Sequence, residues 1–201
     1  MRWFLPLTFA VAAGRLVELA VSRRHERRMA ARGGAVVREP WYAAMVAVHA
    51  GTLVAAPLEG WLRARRRRTP PMALRALGVG GLALATALRI WTLRTLGDAW
   101  STRVTHFAGG GRRVVVGGPY RFIRHPNYLA VILELASLPL AGGAVATALA
   151  ATALNALVLS RRIPLEEREL AADPAWRAAL LPRPRLVPRV GPRLAPRLGS
   201  R

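Results

Sequence analysis

The sequence contains no cysteine and no lysine. The first absence excludes disulfides, thiolate nucleophiles and zinc–thiolate centres, and leaves redox usage silent about the compartment. The second means that all 31 basic residues are arginine, as a GC-rich coding background produces without any selection for phosphate-gripping forks. Acidic residues are scarce as well, 10 in all, so the formal charge is +21. Beside that charge, 53% of the 201 residues are hydrophobic, a pairing that a compact chain tolerates only if charges and apolar runs are kept apart. They are kept apart, which points to a membrane protein. A nucleic-acid partner would explain so basic a chain through phosphate contacts, but it calls for arginines along one amphipathic face. These lie in loops and in the tail, where membrane proteins concentrate them, so no nucleic-acid partner is expected.

Long hydrophobic runs are present instead. Trp3–Val21 has the length of a bilayer span, and its basic cluster Arg23-Arg24 follows the run, which marks a retained helix rather than a cleavable signal peptide. Arg15 and Glu18 are three apart and meet on one helix face as a snorkelling pair. Trp41–Trp61 is the second run; its His49 reads as packed and hydrogen-bonded. In Met72–Leu96, Gly78, Gly80 and Gly81 permit close helix approach, while Arg89 and Arg94 extend towards headgroups. Tyr128–Leu159 is too long for one straight span and is broken by Pro139 with Gly142-Gly143 into a hairpin with legs of roughly 20 to 25 Å. Glu134 on its first leg should face protein. A hairpin returns the chain to the face it left, so Glu166 and Glu167 close over Arg124 and His125.

The expected fold is therefore an all-α integral membrane protein of about five transmembrane helices, the last two a helical hairpin, with a cofactor pocket at the membrane edge. Residues 1–181 form the membrane domain, with a catalytic region at about 97–170. Residues 182–201 form a disordered Pro/Arg-rich tail, because prolines at 184, 188, 192 and 196 forbid helix and little there is left to bury. Twenty-one arginines lie on the side shared by residues 22–40, 97–125 and the C-terminal region, against six on the other. This bias places the C-terminus and the site in the cytoplasm, beneath a bacterial inner membrane, and the N-terminus outside.

One stretch concentrates hydrogen-bonding groups where membrane meets water: Gly118-Pro119-Tyr120-Arg121-Phe122-Ile123-Arg124-His125-Pro126-Asn127-Tyr128. Pro126 suits a first helical turn, since its missing N–H would have had no partner there, and it gathers Arg124, His125 and Tyr128 at the head of the next segment. With Glu166 and Glu167 this knot holds what a small charged cofactor requires: carboxylates for hydroxyls or an ammonium, an arginine for a carboxylate, and aromatics for a purine or a sulfonium. No metal is expected, because the Glu-x-x-His pairing of carboxylate metal sites is absent. The glycines Gly109–Gly111 make no phosphate loop without a following Gly-Lys-Ser/Thr and helix. A transporter would show interrupted segments recurring in two halves of the chain, and none recur.

Gly118-Pro119-Tyr120, then Arg124-His125-Pro126-x-Tyr128, then Glu166-Glu167 after the next hydrophobic stretch resembles the isoprenylcysteine carboxyl methyltransferase family, over roughly residues 103–170. Arg15-Leu-Val-Glu18 and Ser22-Arg-Arg-His-Glu-Arg are similar to a bacterial branch linked to type III polyketide pathways. The resemblance implies an O-methyltransferase using S-adenosylmethionine, with Tyr120, His125, Tyr128 and Glu166 on the cofactor and Arg124 and Glu167 at the reaction centre. It implies a lipophilic acceptor entering from the bilayer lipids: a long-chain polyketide such as an alkylpyrone or alkylresorcinol, or an isoprenylcysteine-like carboxyl. Phospholipid N-methylation, or a non-catalytic membrane scaffold with an interfacial polar belt, are the alternatives these residues leave open.

Overall fold

The computed structural model describes residues 3–66, 70–107 and 113–188. Its helices are α1 (Phe4–Ala30), α2 (Tyr42–Arg65), α3 (Met72–Leu96), α4 (Pro126–Ala141), α5 (Val145–Leu170) and α6 (Pro174–Leu180). Among the described residues α1, α2 and α3 are long and apolar enough to cross a membrane; α4, at 16 residues, is shorter. Phe9 and Val54 stand exposed on α1 and α2, as lipid-facing side chains do in a bundle without its solvent. Arg67, Arg68, Gly109–Gly111 and residues 189–201, on which the basic-loop, turn and tail expectations partly fall, lie outside the described residues.

The fold is mostly helical, as expected, with one short ribbon added to it. Strands β1 (Gly34–Val36) and β2 (Thr105–Phe107) pair antiparallel in the register Gly34↔Phe107, Ala35↔His106, Val36↔Thr105. The segments following α1 and α3 emerge at the same end of the bundle, so their backbones lie side by side and satisfy each other. Val37 N–H extends the ribbon to the Val104 carbonyl at 2.9 Å. Val114–Val116, by contrast, forms no strand.

The hairpin is present, with its break placed by glycine rather than proline. Pro139 sits inside α4, and Pro57 likewise inside α2, while Gly143 at φ +75° supplies the left-handed turn residue between α4 and α5. Phe4, Ala56, Leu82, Leu138, Ala141 and Ala144 form the core that holds this turn against α1, α2 and α3. Helices α3 and α4 pack almost backbone to backbone: a Cβ at Gly78 would stand 2.2 Å from Ala141 N, and one at Gly81 would meet Ser137 Oγ. Gly80 faces open space and does not share this role.

Helix α5 runs past Leu159 to Leu170, so Arg162, Glu166 and Glu167 are set on a rigid helix rather than on a returning loop. Arg89 does not reach for headgroups. Buried at 4% exposure, it places Nη1 3.3 Å from Glu18 and Nη2 3.5 Å from Glu134. Arg15 Nη2 completes the set, 2.7 Å from Glu18 and 3.4 Å from Glu134. Two carboxylates within reach make inward pairing preferable to snorkelling, since a lone charge among membrane helices is costly and a paired one much less so. Glu134 faces protein, at 4% exposure.

The tail expectation is corrected for its described part. Residues 182–188 pack onto the knot: Arg124 N–H donates to the Pro184 carbonyl and His125 N–H to that of Arg185, both at 3.0 Å. Amides at the start of a helix lack intrahelical partners, and an extended proline-rich segment offers free carbonyls to them. Helix α6 leads into this segment. Asp173 caps it by accepting from Ala175 N–H at 2.8 Å, and Trp176 and Leu180 pack with Tyr120 and Leu170.

Candidate functional site

The site forms where the head of α4 meets the last turns of α5. Pro126 takes the first helical position of α4, leaving His125 as a non-helical N-cap whose ring meets Glu167 of α5. Consecutive residues of a helix point roughly 100° apart. Glu166 and Glu167 therefore serve two different neighbourhoods.

Glu166 accepts a short hydrogen bond from the Tyr128 hydroxyl. Glu167 gathers three partners: His125 Nε2 at 2.9 Å, Arg124 Nε at 2.7 Å and Arg185 Nη2 at 2.7 Å. Burial works against its ionisation. The hydrogen bonds from His125 and Arg185 and the charges of His125 and Arg124 outweigh that penalty and hold the carboxyl at about 2. Because the folded value lies below the ordinary 4.5, the stabilisation from Glu167 is complete above about 4.5 and drains away as pH falls towards 2. The melting-temperature gap between wild type and Glu167→Gln in detergent should accordingly narrow as the buffer is taken from about pH 6 to about pH 3. A constant gap would contradict the pairing.

One cavity of about 430 Å³ runs through the site. At the knot it is lined by Tyr120, Arg124, His125, Tyr128, Glu166 and Trp176; along α1 and α2 by Leu16, Leu19, Val46 and Leu53 together with Arg15 and Glu18. Five of the six residues singled out in the sequence thus share one wall, and Glu167 stands behind Arg124 and His125, outside the lining. His49 also lines it, its Nδ1 2.8 Å from the Met45 carbonyl oxygen.

Several site residues were not read from the sequence. Asn155, Leu159, Arg162 and Leu170 line the cavity from the same face of α5 as the expected Glu166. That spacing was a usable signal, since residues three and four apart share a helix face and two of these are charged. Arg162 Nε lies 3.1 Å from Glu39 Oε2, both side chains almost fully buried, and Arg162 also donates to the Thr102 carbonyl. Burial pushes the Glu39 carboxyl up, against the pull of Arg162. Nothing local in the sequence announces Glu39. Its partners are Arg162 and, at 2.6 Å, Val104 N–H, both far along the chain.

Trp100 Nε1 and Asn127 Oδ1 are buried without a hydrogen-bond partner among the described residues, and both side chains line the cavity. An unanswered donor and acceptor in one cavity call for a ligand or water. With aromatic faces, the Glu166 carboxylate and a volume inside the roughly 300–1,000 Å³ usual for small-molecule sites, the lining fits a nucleoside-bearing ligand such as S-adenosylmethionine.

Apolar helices that carry a cavity with both charged and apolar side chains on its wall mark an integral membrane protein with a small-molecule site. The family model for isoprenylcysteine carboxyl methyltransferase (ICMT) matches residues 76–172. An uncharacterized protein of Bacillus subtilis (strain 168), YpbQ, is 30% identical over 171 residues, covering 85% of this chain and 96% of that one. An uncharacterized protein of Haemophilus influenzae is 26% identical over 170 residues, 84% of this chain and 95% of its own. Among solved structures, a eukaryotic intramembrane Ras methyltransferase, ICMT, shares the fold with a TM-score of 0.56 at 17% identity, over 72% of this chain and 52% of its own. The chain spans about half the length of that structure. It belongs to the isoprenylcysteine carboxyl methyltransferase family, membrane enzymes that use S-adenosylmethionine.

Proposed function

We propose that the chain transfers a methyl group from S-adenosylmethionine to a carboxyl or hydroxyl/enol oxygen of a lipophilic acceptor, either a long-chain polyketide such as an alkylpyrone or alkylresorcinol or an isoprenylcysteine-like carboxyl. The observation that carries this reading is one cavity that joins the charged groups of the knot to the apolar side chains Leu16, Leu19, Val46 and Leu53 of α1 and α2, which stand beside the ion-paired Arg15 and Glu18. A charged donor and a greasy acceptor need such a chamber. Tyr120, His125, Tyr128 and Glu166 hold the cofactor, which supplies a methyl group on a positively charged sulfur. In-line transfer demands alignment above all, and the Tyr128–Glu166 hydrogen bond fixes both of those side chains.

Arg124 is held at two points, Nε by Glu167 and Nη1 by the Leu181 carbonyl at 2.7 Å, so its guanidinium meets the acceptor in a preset orientation and favours an oxyanion there. Glu167 contributes to the reaction centre by fixing Arg124 and His125. An acidic carboxyl or enol needs little further help from a base.

Membranes containing the protein, incubated with methyl-labelled S-adenosylmethionine, should yield a labelled lipid-phase ester or ether. Label in a phospholipid amine would overturn the oxygen acceptor, and no label over control membranes would overturn the activity. The same reading puts five spans in the bilayer with the site in the cytoplasm, supported by the arginine bias of the loops. A reporter fused after Arg201 should then be active only in the cytoplasm; periplasmic activity would refute that orientation.

A further inference from the structure

We propose that Arg185, on a C-terminal strap of residues 181–186, is a positioning residue of the active site that acts through Glu167 on Arg124 and His125. The inference rests on the methyltransferase reading above. The strap lies beyond the segment matched by the family model, which ends at residue 172. Yet it touches nearly every side of the knot. Arg183 donates to the Tyr120 carbonyl and, at 3.2 Å, to that of Val116; the Leu181 carbonyl receives Arg124 Nη1. The carbonyls of Pro184 and Arg185 receive the amides of Arg124 and His125, and Leu186 packs against the cluster of Tyr128, Leu159 and Ile163.

Arg185 itself forks onto Glu167: Nε lies 3.2 Å from each carboxylate oxygen and Nη2 2.7 Å from Oε2. An exposed arginine on the surface usually contributes little to stability, and the Arg185 side chain is 53% exposed. Its importance lies in what it grips. With Arg185 in place, Oε2 of Glu167 is taken by the strap alone, while Oε1 is shared between Arg185 Nε, Arg124 and His125. Without it the carboxylate is free to swing, and the two cavity-lining side chains lose their common anchor. A planar fork does this better than a point charge.

The test is calorimetric binding of S-adenosylhomocysteine to the purified full-length protein in detergent, beside thermal melting. Arg185→Gln should weaken binding about tenfold while the melting temperature moves little, and Arg185→Lys should recover only part of the loss. In a Glu167→Gln background the same Arg185→Gln change should have no further effect, because residues acting as one unit are not additive. Unchanged binding in Arg185→Gln, additive losses in the double variant, or binding losses that merely follow melting temperature would each overturn the proposal. Failure of the wild type to bind would instead sink the methyltransferase reading, which keeps the two failures apart.

Discussion

Glu166→Gln should weaken S-adenosylmethionine binding by about ten- to a hundredfold, the loss of one charged hydrogen bond of about 1.5 to 3 kcal/mol in a partly desolvated site. The substitution is close in shape, and the amide oxygen can still accept from Tyr128, so the packing of α4 on α5 survives. His125→Ala should lower affinity by a similar factor but also cost stability, because it strips one donor from Glu167. Calorimetry on both variants, with melting temperatures measured in parallel, separates the two outcomes. Normal affinity in Glu166→Gln would remove this carboxylate from the cofactor site.

The largest effect on stability is expected at Arg162. Its side chain and that of Glu39 are 4% and 2% exposed, and they tie the segment before α2 and the Thr102 carbonyl to the cavity face of α5. Arg162→Met leaves a buried carboxylate with one amide donor, which should cost about 3 to 5 kcal/mol. Adding Glu39→Gln removes the stranded charge and should return much of that loss, as replacing both members of a buried pair is far milder than replacing one. Denaturation in detergent reads both variants. A single-variant cost below about 1 kcal/mol would show that water or another cation already serves Glu39.

These two sites differ in how far the sequence disclosed them. Tyr120, Arg124, His125, Tyr128 and Glu166 sit in a compact pattern whose proline sets a helix start, and they converge on one cavity wall because α4 and α5 fold back on each other. The hairpin was legible from Pro139 and Gly142-Gly143, although α4 carries Pro139 inside it and Gly143 makes the turn. Glu39, the ribbon of Gly34–Val36 with Thr105–Phe107, and the strap were hidden for one shared reason. Each is held by partners distant in the chain, and backbone pairing leaves no side-chain pattern to find. Arg89 misled because an arginine near a helix end has two destinations, and the choice between them depends on carboxylates carried by other helices. For Arg185, proline density argued against helix correctly, but an unfolded tail and an extended strap look alike in composition.

The ion quartet of Arg15, Glu18, Arg89 and Glu134 bears on how the chain enters its bilayer. On insertion scales a lone charge at mid-helix costs about 2.5 to 3.5 kcal/mol. Helix α1 carries its own counter-ion one turn away, 2.7 Å apart, so it can insert as an electrically balanced unit before any neighbour arrives. Helices α3 and α4 have no such internal remedy: Arg89 and Glu134 each enter alone and are neutralised by each other, where Gly78 and Gly81 let the two helices close together, and by Glu18 and Arg15 of α1. Assembly of the bundle and neutralisation of its buried charges are thereby one event, in which α1 exchanges a private pair for a shared one.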